Sequence, residues 1–157
     1  MYGPQSLKDF DVEIFGISPK VLESVLRNFG NIHAVGKSFG VLKLKTSSAE
    51  YDFSLPRRES RTGKGHRGFM VTPDSTMSYR EAASRRDFTV NSIGYDLLTK
   101  TLLDPFDGLG DIKHKILRHV GPAFAEDPLR VLRAMQFSAR LEFKIAPETV
   151  QLCKTLD

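Results

Sequence analysis

The feature that most constrains this chain is a change of hydrophobic period along its length. In the first half, apolar residues recur at every second position in short runs, the period of a half-buried strand. Phe10, Val12 and Ile14 alternate with Asp11 and Glu13, and Val41-Leu42-Lys43-Leu44-Lys45 and Glu50 to Leu55 repeat the pattern. The spacer Thr46-Ser47-Ser48-Ala49 reads as a hairpin turn. One helix interrupts these runs. Ser18-Pro19 supplies a cap and a first-turn proline, Val21, Leu22, Val25, Leu26 and Phe29 follow at helical spacing, and Gly30 ends it. Residues 32 to 35 read as a further strand. From Asp111 onward the spacing is helical, with one helix from Asp127-Pro128 to about Leu141 and a second from Pro147 running to Asp157. The expected fold is therefore α+β, a mixed-sheet part over 1–115 followed by the start of a helical part over 116–157.

Between these regions Ser78 reads as the cap of a short helix to about Arg86, and 92–98 with 101–104 as a strand pair. Pro105 and the glycines at 108 and 110 read as a break. No apolar run approaches the ~20 residues of a membrane helix, and the N-terminal residues lack the apolar core of a signal peptide. Cys153 is the only cysteine, which excludes an internal disulfide and a cysteine-based zinc site. A cytoplasmic location is the expectation, with no membrane partner.

The net charge of +4 is concentrated. Arg57, Arg58, Arg61, Lys64 and Arg67 stand against Glu59 alone, a local excess equal to that of the whole chain. A basic loop over 57–67 suits either a polyanionic partner or a solvated surface.

Four groups of residues carry chemistry. Asp9 and Asp11 fall at i and i+2, on one face of the first strand. Two like charges side by side repel, and a hard divalent cation such as Mg²⁺ relieves them; taken alone, the pair reads more simply as two solvated aspartates at a strand edge. Asp52 joins them as a third carboxylate if its strand neighbours the first, and is otherwise part of an exposed face. Arg85-Arg86-Asp87, with Asn91 four residues on, combines guanidinium for phosphate with carboxylate for a ribose hydroxyl. The same residues suit a basic turn at a helix C-terminus. Asp127, Arg130 and Arg133 share a helix face at i, i+3 and i+6. A carboxylate accepting from an exocyclic amine and an arginine donating to a ring nitrogen can read a base edge, and Asp127 also suits an N-cap. The four histidines show no metal spacing, and no Ser or Cys nucleophile stands with a base.

Taken in order, Lys8-Asp9-Phe10-Asp11-Val12-Glu13, Asp52-Phe53-Ser54-Leu55-Pro56-Arg57, Arg85 to Asn91, Asp104-Pro105-Phe106-Asp107-Gly108 and Glu126 to Ala134 resemble bacterial CCA-adding tRNA nucleotidyltransferases and their A-adding and poly(A) polymerase relatives. The resemblance implies a nucleotidyltransferase head with a mixed sheet and the start of a helical neck. It implies Mg²⁺-dependent transfer of C and A from CTP and ATP to the 3′ end of tRNA. It implies catalytic roles for Asp9, Asp11 and Asp52, the first two holding metal, and nucleotide binding by Arg86, Asp87, Asn91, Asp127, Arg130 and Arg133. Arg57, Arg58, Arg61, Lys64 and Arg67 would meet RNA. The family's glycine-rich strand and helix before the metal pair have no counterpart in the residues preceding Lys8, and Gln136 stands where members often carry arginine. The expectation is that the chain as given folds at least partly, is catalytically silent, and self-associates through an unpaired sheet edge and a last helix exposing Val150 and Leu152. A non-catalytic nucleotide- or RNA-binding module is the alternative.

Overall fold

A computed structural model describes residues 9–35, 40–47, 49–61 and 69–156, in two compact units spanning Met1–Met77 and Ser78–Asp157.

The first unit is built on a four-stranded mixed sheet of order β1-β4-β3-β2. It comprises β1 (Asp9–Glu13), β2 (Ile32–Val35), β3 (Val41–Lys45) and β4 (Glu50–Ser54). β1 lies parallel to β4, and the other neighbours are antiparallel. The expected hairpin joins β3 to β4, closed by Thr46 N–H donating to the Ala49 carbonyl at 2.9 Å. Strand alternation sorts the faces as predicted. Leu42, Leu44, Tyr51 and Phe53 pack with Leu22 and Leu26 of α1 (Pro19–Leu26), while the charged residues occupy the other face. Ser18 caps α1, accepting from Val21 N–H. The helix ends at Leu26 rather than Gly30, because Asn28 and Phe29 bond three residues back instead of four.

The basic segment is not simply a loop. Arg57–Arg61 forms β5, paired antiparallel with β6 (Phe69–Pro73), so at least its first half is a two-stranded ribbon. Residues 62–68 lie outside the described residues.

The second unit opens with α2 (Tyr79–Ser84), where Ser78 and Glu81 form a reciprocal capping box. A 3-10 turn over Thr89–Asn91 leads to β7 (Gly94–Asp96), paired with β8 (Thr101–Leu103). The glycines at 108 and 110 do not break the chain into irregular structure. They lie in α3 (Gly108–His114), whose first N–H groups are taken by the Asp104 carboxylate, from Gly108 at 2.7 Å and Leu109 at 2.9 Å. An acidic residue placed four positions ahead of the helix does the capping, which local glycine content conceals. The helical region is also interrupted. β9 (Ile116–Leu117) and a 3-10 segment over Pro122–Glu126 come before α4 (Leu129–Leu141), and β10 (Lys144–Ile145) before α5 (Pro147–Cys153). β10 runs parallel to β9. α5 stops at Cys153, and Leu152 packs against the core of Phe88, Leu117, Phe124 and Ala134 instead of standing exposed. Val150 is 37% exposed, as expected. No helix among the described residues is long and apolar enough to cross a membrane.

Gly108 is required where it is. A Cβ there would lie 2.3 Å from the Thr89 carbonyl oxygen, a backbone atom with little room to move. Gly108→Ala is expected to destabilise the second unit by about 1–3 kcal/mol through overpacking, read as a lowered urea midpoint.

His119 gives this unit an acid-sensitive point. Thr149, fully buried, accepts from the His119 backbone N–H at 3.0 Å, and its hydroxyl oxygen lies 2.8 Å from the ring Nδ1. Burial, and secondarily the Arg118 charge, holds the imidazole below its ordinary pKa of 6.5. The neutral ring is favoured on folding, so its contribution is full above the unfolded pKa and is lost as pH falls toward the folded one. His119→Gln is expected to flatten the loss of stability over roughly pH 7 to 5, measured by denaturant titration at several pH values.

Candidate functional site

In the first unit the polar face of the sheet gathers the expected carboxylates. Asp9 and Asp11 are exposed on β1, and register places Asp11 opposite Asp52 and Asp9 opposite Glu50. The strands therefore pair as a third carboxylate requires. The Asp52 carboxylate is engaged by Lys43 of β3, whose Nζ lies 2.8 Å from both oxygens. Asp52 raises the Lys43 pKa, first by this hydrogen bond, with its charge and those of Glu50 and Asp11 adding to the effect. Lys45 and Glu50 form a second cross-strand pair at 2.7 Å. Lys45 is raised and Glu50 lowered, each chiefly by hydrogen bonding to the other.

Nothing in the motif pattern singles out Lys43. The signal was present nonetheless: a four-residue turn between Lys45 and Glu50 sets residue 43 opposite residue 52, an opposite-charge cross-strand pair. Two exposed carboxylates on one strand face offer the hard oxygens that suit Mg²⁺. Among the described residues no group of three or more His, Cys, Asp or Glu is placed to hold a metal ion, which leaves Asp9 and Asp11 as the candidate pair.

On the basic ribbon Arg57 is half-buried, and Arg58 donates through Nε to Asp74 at 2.7 Å. The side chain of Arg61, together with Lys64 and Arg67, falls outside the described residues.

In the second unit, residues far apart in sequence converge on Asp87. Its buried carboxylate accepts at Oδ1 from Asn91 Nδ2 at 3.0 Å and from Phe88 N–H at 2.9 Å. At Oδ2 it meets Arg133 of α4, from Nε at 2.8 Å and Nη2 at 2.7 Å. Both guanidinium nitrogens converge on this one carboxylate oxygen in a charge-assisted contact. Arg133 also lies over the Phe137 ring at 5.1 Å, and Phe137 meets Phe88 edge to face at 5.7 Å. Arg86 donates to the Asn91 carbonyl at 3.1 Å. Arg130 donates through its two η nitrogens to the Ala123 and Arg85 carbonyls, each at 2.7 Å. Asp127 accepts from Leu129 N–H at 3.0 Å, so it caps α4 even though the helix begins two residues later.

Residues 2–118 match a family model described as the poly(A) polymerase head domain, about three quarters of the chain. The chain belongs to the poly(A) polymerase head-domain family. Asp9, Asp11, Asp52, Arg86, Asp87 and Asn91 fall within the head-domain match, and Asp127, Arg130 and Arg133 follow it. The chain is 43% identical over 155 residues to a multifunctional CCA protein of Xylella fastidiosa strain 9a5c, covering 97% of this chain and 36% of that protein. It is 46% identical over 125 residues to the multifunctional CCA protein of Xanthomonas campestris pv. campestris strain B100, covering 78% of this chain and 30% of that one. Among solved structures it resembles a tRNA-processing enzyme with CTP, at TM-score 0.75 and 31% identity over 97% of this chain and 38% of that one. It also resembles a tRNA nucleotidyltransferase complexed with a primer tRNA and an incoming ATP analog, at TM-score 0.73 and 31% identity over 98% of this chain and 42% of that one. The chain thus spans between 30% and 42% of the length of these relatives.

Proposed function

We propose that residues 1–115 form the head and 116–157 the beginning of the neck of a tRNA nucleotidyltransferase. It adds C and A from CTP and ATP to the 3′ end of tRNA without a template. The observation that carries this reading is the convergence on Asp87, where a guanidinium from α4 and an amide from the 3-10 turn meet one buried carboxylate. Such a cluster fixes both the turn after Arg86 and the helix bearing Arg130 and Arg133. The names of the relatives and the CTP and ATP-analog complexes of the structural neighbours support the same reading.

Cytosine and adenine share an exocyclic amine beside a ring nitrogen that accepts. Uracil and guanine present a carbonyl and an N–H there instead. A carboxylate and a guanidinium side by side satisfy the first pair and repel the second. Asp127 and Arg130 take this role. Arg86 and Arg133 meet the triphosphate, and Asp87 with Asn91 the ribose side. Asp9 and Asp11 hold Mg²⁺, which when bound activates the attacking hydroxyl and stabilises the leaving pyrophosphate. Asp52, tethered by Lys43, keeps a further carboxylate beside Asp11. The basic segment, with Arg57, Arg58 and Arg61 on β5 and Lys64 and Arg67 between β5 and β6 in sequence, tracks the RNA backbone by charge.

Base choice is the direct test. Arg130→Ala is expected to weaken CTP and ATP binding about tenfold or more, the scale of a lost charge-assisted hydrogen bond, while inorganic triphosphate binding changes little. Calorimetric titration with all four nucleoside triphosphates reads this. A variant that still prefers CTP and ATP over UTP and GTP would show that Arg130 is not the reader.

A further inference from the structure

Asp111 stands outside every motif assigned above, yet it is 7% exposed, charged and fully engaged. Its Oδ2 accepts from the Thr89 hydroxyl at 2.7 Å. Arg118 Nε lies 3.1 Å from the same oxygen and 3.3 Å from Oδ1. Thr89, only 2% exposed, is the first residue of the 3-10 turn that ends at Asn91. The backbone pins the same turn from the other side. Thr89 N–H donates to the Arg118 carbonyl at 2.9 Å, and Val120 N–H donates to the Asp87 carbonyl at 3.1 Å. Arg118 is itself braced by an ion pair with Glu148 of α5. The turn carrying Asp87 and Asn91 is therefore held by its main chain against residues 118–120 and by one side-chain hydroxyl against α3.

We infer that Thr89, Asp111 and Arg118 are positioning residues that set the orientation of the Asp87–Asn91 turn toward the sugar of a bound nucleotide. This rests on the nucleotide-site reading above. Asp87 has one carboxylate to divide among the Phe88 N–H, Asn91, Arg133 and a ribose hydroxyl, so a small rotation of the turn changes which of its lone pairs faces the sugar. A carboxylate that accepts a hydroxyl and an arginine at once is a stiff anchor in a low-dielectric setting. The Thr89 hydroxyl is the side-chain link by which that anchor reaches the turn.

Stability alone cannot distinguish positioning from packing. The ratio of ATP to dATP affinity can, because partial unfolding weakens both nucleotides equally. The experiment is equilibrium binding of ATP and dATP in Mg²⁺ buffer, with unfolding measured in parallel. Thr89→Val keeps the shape and removes the hydroxyl, and Asp111→Asn keeps the shape and removes the charge that holds Arg118. Both are expected to reduce the preference for ATP about five- to tenfold, the scale of one misdirected hydrogen bond. Thr89→Ser, which restores the hydroxyl, is expected to retain the preference. An unchanged ATP-to-dATP ratio in folded Thr89→Val and Asp111→Asn overturns the inference, even if both are less stable. A native protein that binds ATP and dATP equally overturns the ribose-side reading of Asp87 itself, and the inference with it.

Discussion

Asp87→Ala is expected to be the most damaging single substitution in the second unit, for folding and for nucleotide binding together. It removes the shared acceptor of Asn91, Arg133 and the Phe88 N–H. The Phe88 side chain is fully buried, and its backbone donor would lose its partner. The Arg133 side chain is 47% exposed and can recover water, so its part is smaller than for a fully buried pair. The expected loss is about 2–3 kcal/mol, between the scale of a stranded polar group and that of a broken buried ion pair. Asp87→Asn keeps the shape and one acceptor and is expected to cost roughly half as much. Urea unfolding gives the stability term. Titration with ATP without denaturant, at a temperature well below the midpoint, gives the binding term, expected to fall at least tenfold in both variants if Asp87 meets the ribose as proposed, since neither variant keeps the carboxylate. Full ATP affinity in Asp87→Asn would confine this residue to a structural role.

The second large effect is expected at Asp11, with the opposite balance. Asp11 is exposed on an edge strand, so Asp11→Ala is expected to leave stability within about 0.5 kcal/mol. Its loss removes half of the candidate metal pair and leaves Asp52 opposite an apolar side chain. In a full-length enzyme carrying this head, nucleotide transfer is expected to fall about a thousandfold or more, since metal stabilisation of the transferring group amounts to several kcal/mol. Single-turnover transfer, with far-ultraviolet circular dichroism on the same sample, separates chemistry from folding. Near-normal turnover in Asp11→Ala would remove the metal role from this pair.

Much of this was legible in residues alone, and the reasons differ by element. β3 and β4 could be read because strict alternation on both sides of a short turn leaves only one register that buries Leu42, Leu44, Tyr51 and Phe53 together. The Ser18 and Ser78 caps could be read because capping is local chemistry. α3 could not, because its cap comes from Asp104, outside the helix, and Gly108 is there for close approach to the Thr89 carbonyl. β5 was hidden because its charged residues carry no apolar alternation, and only pairing with Phe69–Pro73 reveals it. The site divides the same way. Asp87 and Arg133 could be named as candidates, but a hydrogen bond joining residues 46 apart is set by tertiary packing. Asp111 and Arg118 were invisible for that reason: each is an ordinary charged residue until the fold brings it to Thr89.

The central claim, template-independent addition of C and A to tRNA, is tested most directly by offering each nucleoside triphosphate separately, radiolabelled and with Mg²⁺, to tRNAs shortened by three, two or one nucleotides at the 3′ end. In a full-length enzyme carrying this head, the account predicts label from CTP on the first two substrates and from ATP on the third, with UTP and GTP excluded and all addition lost in Asp11→Ala. Label from ATP alone on every substrate would reassign the protein to A-only addition, and incorporation that ignores the base or survives Asp11→Ala would contradict the account.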